Sequence, residues 1–189
     1  MPRLRGAAVA LAAAALVACS AAPPAPLRVV DRAASDAFEL EARVAARDGS
    51  RSTAANIYWT HQGSTDEIDF LAPTGQVMGR LESGPDGARL LEAGGAERRA
   101  ETLDALAEAL VGIPIPVSRL SNWVQASPGT DARVLRTDDI GRPALVSEEG
   151  WLVEYVGYRD DTAGSPVRRL EAQWGELHIQ LIVDGWTPR

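Results

Sequence analysis

Phe38-Glu39-Leu40-Glu41-Ala42-Arg43-Val44 alternates an apolar residue with a charged one at every step. A period of two places the four apolar side chains on one face of an extended chain, as in a strand with one face in a core and the other in water. Asp48-Gly49 follows as a turn, residues 53–61 are rich in β formers, and Ile68-Asp69-Phe70 alternates again. Pro73-Thr74-Gly75 reads as another turn. Residues 77–82, 88–92 and 97–101 form further short strands, broken at Gly84, Gly87 and Gly94-Gly95. This rhythm predicts an antiparallel meander.

Past that stretch the period changes. Thr102 is placed to cap a helix, and Leu103, Leu106 and Leu110 recur at helical spacing until Gly112. Ile113-Pro114-Ile115-Pro116 cannot continue a helix. Ser118 starts a second short helix with Leu120, Trp123 and Val124 on one face, ended by Gly129. Strands return at 133–137, 144–147, 151–158, 167–172 and 177–183. In 151–158, Trp151, Val153 and Tyr155 share one face. Upstream, residues 27–37 are expected to form a short helix. The fold class is therefore mainly β with a helical insertion (α+β). One curved antiparallel sheet carries helices across its concave side and is short-stranded enough to curl into a barrel or part of one.

The N-terminus has the layout of an export signal. Two arginines fall within residues 1–5, residues 6–18 are small and apolar, and Cys19 follows. The apolar run is too short to span a bilayer comfortably. Leu16-Val17-Ala18-Cys19 resembles the bacterial lipobox. That resemblance implies a signal peptide over 1–18, diacylglycerol on the Cys19 thiol and an acylated new amino terminus. Residues 19–27 are then a Pro-rich lipidated tether and 28–189 a single domain. By the sorting rule that goes with that resemblance, Ser20 in place of an aspartate implies the outer membrane rather than the inner.

Composition excludes several classes. The chain of 189 residues carries net charge −7, its 19 basic residues are all Arg, and no basic run offers a nucleic-acid arm. A single cysteine precludes an internal disulfide. No nucleotide-binding loop, His-Glu-x-x-His or Gly-x-Ser-x-Gly occurs, so no cofactor, metal or catalytic residue is assigned and the chain reads as a non-enzyme. Any task must run downhill on binding energy. Both histidines, His61 and His178, read as surface residues. The pairs Asp138-Asp139, Glu148-Glu149 and Asp160-Asp161 read as neighbours in solvated turns.

Five tryptophans are many for a chain only 5% aromatic. Beside apolar neighbours they serve equally as a closed core or as the lining of an open apolar cavity, because both need the same residue types.

The order of motifs goes further. Phe38-x-Leu40-x-Ala42-Arg43-Val44, Asn56-x-x-Trp59 and Pro73-Thr74-Gly75 are followed by Gly112-Ile113-Pro114-Ile115-Pro116-Val117-x-x-Leu120-x-x-Trp123-Val124. Gly150-Trp151-x-Val153-x-Tyr155 and Asp184-Gly185-Trp186 complete the series. Together with the lipobox, this resembles the LolB family of outer-membrane lipoprotein receptors over nearly all of the mature chain.

The resemblance implies an incomplete antiparallel β-barrel with helices as a lid over an apolar cavity. It also implies a monomer on the periplasmic face of the outer membrane, held by the Cys19 lipid. Such a protein takes acylated lipoproteins from the carrier LolA and inserts them into the inner leaflet. Three chains of about fifteen carbons carry on the order of 35 kcal/mol of apolar transfer energy, so cargo cannot cross water unshielded. The expected lining is Leu40, Val44, Ile57, Trp59, Ile68, Phe70, Leu106, Leu110, Trp123, Val153, Tyr155, Ile179 and Leu181, with facing taken from alternation.

The resemblance also marks Pro73, Thr74 and Gly75 as the membrane-insertion loop. Family members present an apolar residue where this chain has Thr74, so Phe70, Leu71, Val77 or Met78 would have to supply the apolar contact. The competing reading of the whole chain is a lipid-anchored scaffold that binds a protein partner over a fully packed core.

Overall fold

The computed structural model describes residues 27–189; the expected signal peptide, Cys19 and the expected tether up to residue 26 lie outside the described residues. Six strands open the domain: β1 (Ala37–Asp48), β2 (Arg51–Gln62), β3 (Thr65–Leu71), β4 (Val77–Gly84), β5 (Gly87–Glu92) and β6 (Glu97–Ala100). Two helices follow, α1 (Leu103–Val111) and α2 (Val117–Trp123). Five strands close it: β7 (Arg133–Thr137), β8 (Pro143–Glu148), β9 (Trp151–Tyr158), β10 (Val167–Trp174) and β11 (Leu177–Pro188).

All eleven strands join one antiparallel sheet in the order β6-β5-β4-β3-β2-β1-β11-β10-β9-β8-β7. Two meanders are thus sewn together by one long-range seam, β1 against β11, with Leu40 opposite Trp186 and Val44 opposite Leu181. β6 and β7 remain edges, so the curved sheet is an unclosed barrel. The helical insertion sits between these edges in sequence.

The alternation in β1 does what its period demands. Phe38, Leu40, Ala42, Val44 and Ala46 are buried while the intervening residues face out. α1 starts where Thr102 Oγ1 accepts from the Ala105 amide and stops at Gly112, whose φ of 78° favours glycine. The β8–β9 turn has two consecutive left-handed residues, Glu149 (φ 45°) and Gly150 (φ 87°), the geometry that matches strand twist in a two-residue hairpin.

The register sorts the connections into two ends. The β1–β2, β3–β4, β5–β6, β8–β9 and β10–β11 turns share one end. The β2–β3, β4–β5, β7–β8 and β9–β10 turns share the other.

Three expectations need correction. Residues 27–36 are not helical but form an extended strap across the second end. The Val30 amide donates to Gly141 O, and Arg32 donates to Gln125 O at 3.0 Å and to Ser165 O at 2.7 Å. These tertiary partners outbid the local i→i−4 bonds a helix would have made. Glu148 is not in a solvated turn but at the inward end of β8, 8% exposed. His61 is largely covered: it stacks on Phe38 at 4.9 Å and bonds Asp66 through Nδ1 at 2.7 Å, whereas His178 is exposed.

Candidate functional site

Alternation along the strands turns one face of every central strand into the barrel interior. Leu40, Val44, Ile57, Trp59, Ile68, Phe70, Val153, Tyr155, Ile179 and Leu181 all point inward and are buried, as are Leu106 of α1 and Trp123 of α2. Leu110 is partly buried against the same cluster.

The structure gathers only some of these around one spot. Val44, Ile57, Trp59, Ile68 and Phe70 on the sheet meet Ile115, Val117 and Leu120 from the lid around a void of about 10 Å³. That is roughly the space of one water probe. Leu106 and Leu110 instead cover β4, β5 and β6 with α1. Leu110 comes close to Gly79, where an added Cβ would lie 3.3 Å from Leu110 Cδ1. Trp123, Val153, Tyr155, Leu40, Ile179 and Leu181 belong to the packed remainder of the core. A wider groove of about 650 Å³ lies elsewhere, along parts of β1, β2 and β8–β11. Its lining mixes Arg47, Glu154, Glu171 and His178 with apolar residues such as Leu145 and Leu152.

Ile115, Val117 and Leu120 are therefore what fills the barrel. Pro114 and Pro116 remove two amides from this segment, and the rest is held by tight i→i+2 bonds, Ile115 N to Ile113 O and Val117 N to Ile115 O. The repeated Ile-Pro signals a chain break; that its isoleucine side chains plug the interior was not legible from that signal.

Polar ties hold the lid shut at its margins. Asp104 on α1 accepts from the Ser118 amide and hydroxyl, both at 2.8 Å. Arg51 donates to Gly112 O at 2.9 Å. Arg119 pairs with Glu149, and their mutual hydrogen bond lowers the carboxyl pKa of Glu149 and raises that of the Arg119 guanidinium. Trp123 Nε1 donates to the buried Glu148 at 2.8 Å. Gln125, just past α2, is clasped to the strap: its Oε1 accepts from the Ser35 amide at 2.6 Å and its Nε2 donates to Ser35 O at 3.3 Å.

Aromatic contacts brace both sides. Phe38 packs against Trp59 and Trp186 at 5.3 and 4.6 Å, and Trp59 Nε1 donates to Asp66 at 2.8 Å. Trp123, Trp151 and Trp174 form a ladder with centroid spacings of 5.2 and 6.2 Å, which ends on a Trp174 half open to solvent. The Tyr155 hydroxyl is buried without a partner, and burial pushes its pKa well up.

The Pro73-Thr74-Gly75 turn protrudes between β3 and β4, closed by Gly75 N to Ala72 O at 2.7 Å. Of the four apolar residues considered beside it, Phe70 is buried, Leu71 and Met78 are half-covered, and Val77 is exposed.

The comparisons agree with this architecture. Two solved structures share the fold. A LolA superfamily protein from Nitrosomonas europaea aligns with a TM-score of 0.54 at 9% identity over 84% of this chain and 88% of that one. A DUF1329 family protein from Desulfovibrio piger aligns at 0.51 and 10% identity, over 82% and 86%. In sequence, the chain is 41% identical to an outer-membrane lipoprotein LolB of Azoarcus sp. over 93% of its length and 91% of the relative's. It is 33% identical to one from Thiobacillus denitrificans over 91% of each. The family model "Outer membrane lipoprotein LolB" matches residues 36–186, from the last strap residue to Trp186 in β11, opposite Leu40. An unclosed barrel plugged by an Ile-Pro-Ile-Pro lid, matched along its length by these relatives, belongs to the outer-membrane lipoprotein LolB family.

Proposed function

We infer that the protein receives acylated lipoproteins from the soluble carrier LolA and releases them into the inner leaflet of the outer membrane, holding their acyl chains inside the half-barrel. The observation that carries this reading is the plug. Ile115, Val117 and Leu120 occupy the space where Val44, Ile57, Trp59, Ile68 and Phe70 converge, and little void remains beside them. Aliphatic side chains on a proline-interrupted linker are chemical stand-ins for hydrocarbon. Withdrawing the three exposes about 5–9 kcal/mol of buried side chain. The apolar transfer energy of a cargo's chains is several times larger, so acyl chains can displace the lid and replace its contacts.

Direction then follows from three apolar environments of increasing favourability: carrier, receptor and bilayer. In this reading Cys19 carries the lipid that keeps the receptor on the periplasmic face, the protein works as a monomer, and Pro73, Thr74, Gly75 and Val77 meet the bilayer at delivery. No step calls for catalysis.

A photocrosslinker at Trp59 or Leu120 is expected to capture the acyl portion of a lipoprotein during transfer, with the one at exposed Tyr58 silent. Capture at Tyr58 and not inside refutes the site. Depletion in cells is expected to strand lipoproteins on the soluble carrier; their normal arrival at the outer membrane refutes the receptor role. The small void also favours a second reading, a lipid-anchored scaffold with a filled core. Failure of the interior to bind any acyl probe would establish that one instead.

A further inference from the structure

Three large aliphatic side chains are exposed together at the strap end of the barrel: Leu27 (50%), Val29 (45%) and Ile140 (42%). They come from distant parts of the chain. The Val30 amide donates to Gly141 O at 2.8 Å, and an added Cβ on Gly141 would meet Arg28 O at 2.9 Å, so the strap lies directly on the β7–β8 turn that carries Ile140. An adjoining cleft of about 340 Å³ is lined by Val29, Val30, Ala126, Pro128 and Pro143 together with the charged Asp31 and Arg32.

The position of this patch indicates its occupant. The strap begins at Leu27, and only residues 20–26 separate it from Cys19. Fully extended, that link reaches about 28 Å. The β3–β4 hairpin lies toward the other end: Leu71, where it begins, is level with Asn56 and Arg43, about 20 Å up β1 from Ala37. The strap end is where the tether joins the domain, so a lipid on Cys19 brings this end to the membrane with the least extension of the link. Exposed aliphatic residues at the root of a short lipid anchor gain free energy by entering the headgroup–acyl boundary, a depth of roughly 5–10 Å.

We propose that Leu27, Val29 and Ile140 form a bilayer-contacting face on which the cargo-free domain rests, strap end down, with its β3–β4 hairpin pointing away from the membrane until the domain tilts. The proposal rests on lipidation at Cys19.

The test uses the full-length acylated protein in vesicles of phosphatidylethanolamine and phosphatidylglycerol. With the Cys19 thiol consumed by lipid, one environment-sensitive fluorophore is attached through Ile140→Cys, Thr74→Cys or Ser50→Cys in separate preparations. The label at Ile140 is expected to blue-shift on vesicle binding and to be quenched by lipids brominated along the acyl chain, and the label at Ser50, in the β1–β2 turn, to stay unchanged. If the protein floats with the vesicles while the Ile140 label remains in water, the proposal is overturned and the anchor stands. A membrane signal from Thr74 alone reverses the orientation and also overturns it. If the wild-type protein does not float, the anchor reading fails and the proposal falls with it.

Discussion

Leu120→Ala distinguishes a lid from a wall. Leu120 is 3% exposed and reaches the small void between α2 and the sheet. Cutting it back removes three carbon groups at ~0.8 kcal/mol each, so closing the lid over the barrel loses about 2 kcal/mol. The lid-open population then rises about 30-fold. The apparent affinity for an acyl ligand that binds only the open form rises by up to the same factor, because apparent dissociation constants scale inversely with the competent fraction. The same substitution leaves a cavity in the closed state and costs ~2–5 kcal/mol of global stability, so Tm drops. Titration with a fluorescent fatty acid, with thermal melting in parallel, reads both numbers. A lower Tm with tighter acyl binding is the expected pair. A lower Tm with unchanged or weaker binding would mean that Leu120 does not compete with the ligand, and the reasoning from plug to site would be refuted.

Three other perturbations follow from the same geometry. Trp123→Phe leaves buried Glu148 without its indole donor and is expected to cost ~1–3 kcal/mol, read by chemical denaturation; adding Glu148→Leu to it should recover part of that loss, and no recovery would show that the pair is not coupled. The Arg119–Glu149 tie lowers the carboxyl pKa below its ordinary 4.5, so the tie is complete above that value and is lost as pH falls through the depressed one. Hydrogen exchange in α2 should therefore accelerate in acid relative to β1, and Arg119→Gln should abolish that extra acid sensitivity; an unchanged profile in the variant would exclude the tie as its source. Gly79→Ala puts a Cβ 3.0 Å from both Leu90 Cδ1 and Leu91 O, and is expected to lower stability by ~1–3 kcal/mol by denaturant titration, whereas Gly94→Ala, with open space around it, should be near neutral.

The sheet was the most legible part of the sequence. The period of β1 and of Trp151-x-Val153-x-Tyr155 gave correct facing because a half-buried strand leaves that pattern whatever its neighbours are. Local signals failed wherever long-range partners decided the outcome. The strap looked helical, yet Arg32 and Val30 find their partners about a hundred residues later. Glu148 looked like half of a solvated acidic pair, but one step of alternation turned it inward to meet Trp123. The interior posed a different problem. Trp59 and Ile68 have the composition of a core and of a cavity alike, and only the placement of Ile115 and Val117 indicates what occupies the space between them.

That β6 and β7 each pair on one side only, and not with one another, has a mechanical consequence. Had they bonded, every change of girth would have required breaking a rung of the ladder, as a hoop resists stretching. Left as two free lips, they let the wall splay or tighten by a small adjustment of twist at each strand, with every existing interstrand bond kept. If the half-barrel binds acyl chains as proposed, that freedom suits guests of unequal bulk. Arg98 and Arg99 on one lip, with Arg133 and Arg136 on the other, keep those margins from zipping onto a neighbouring molecule.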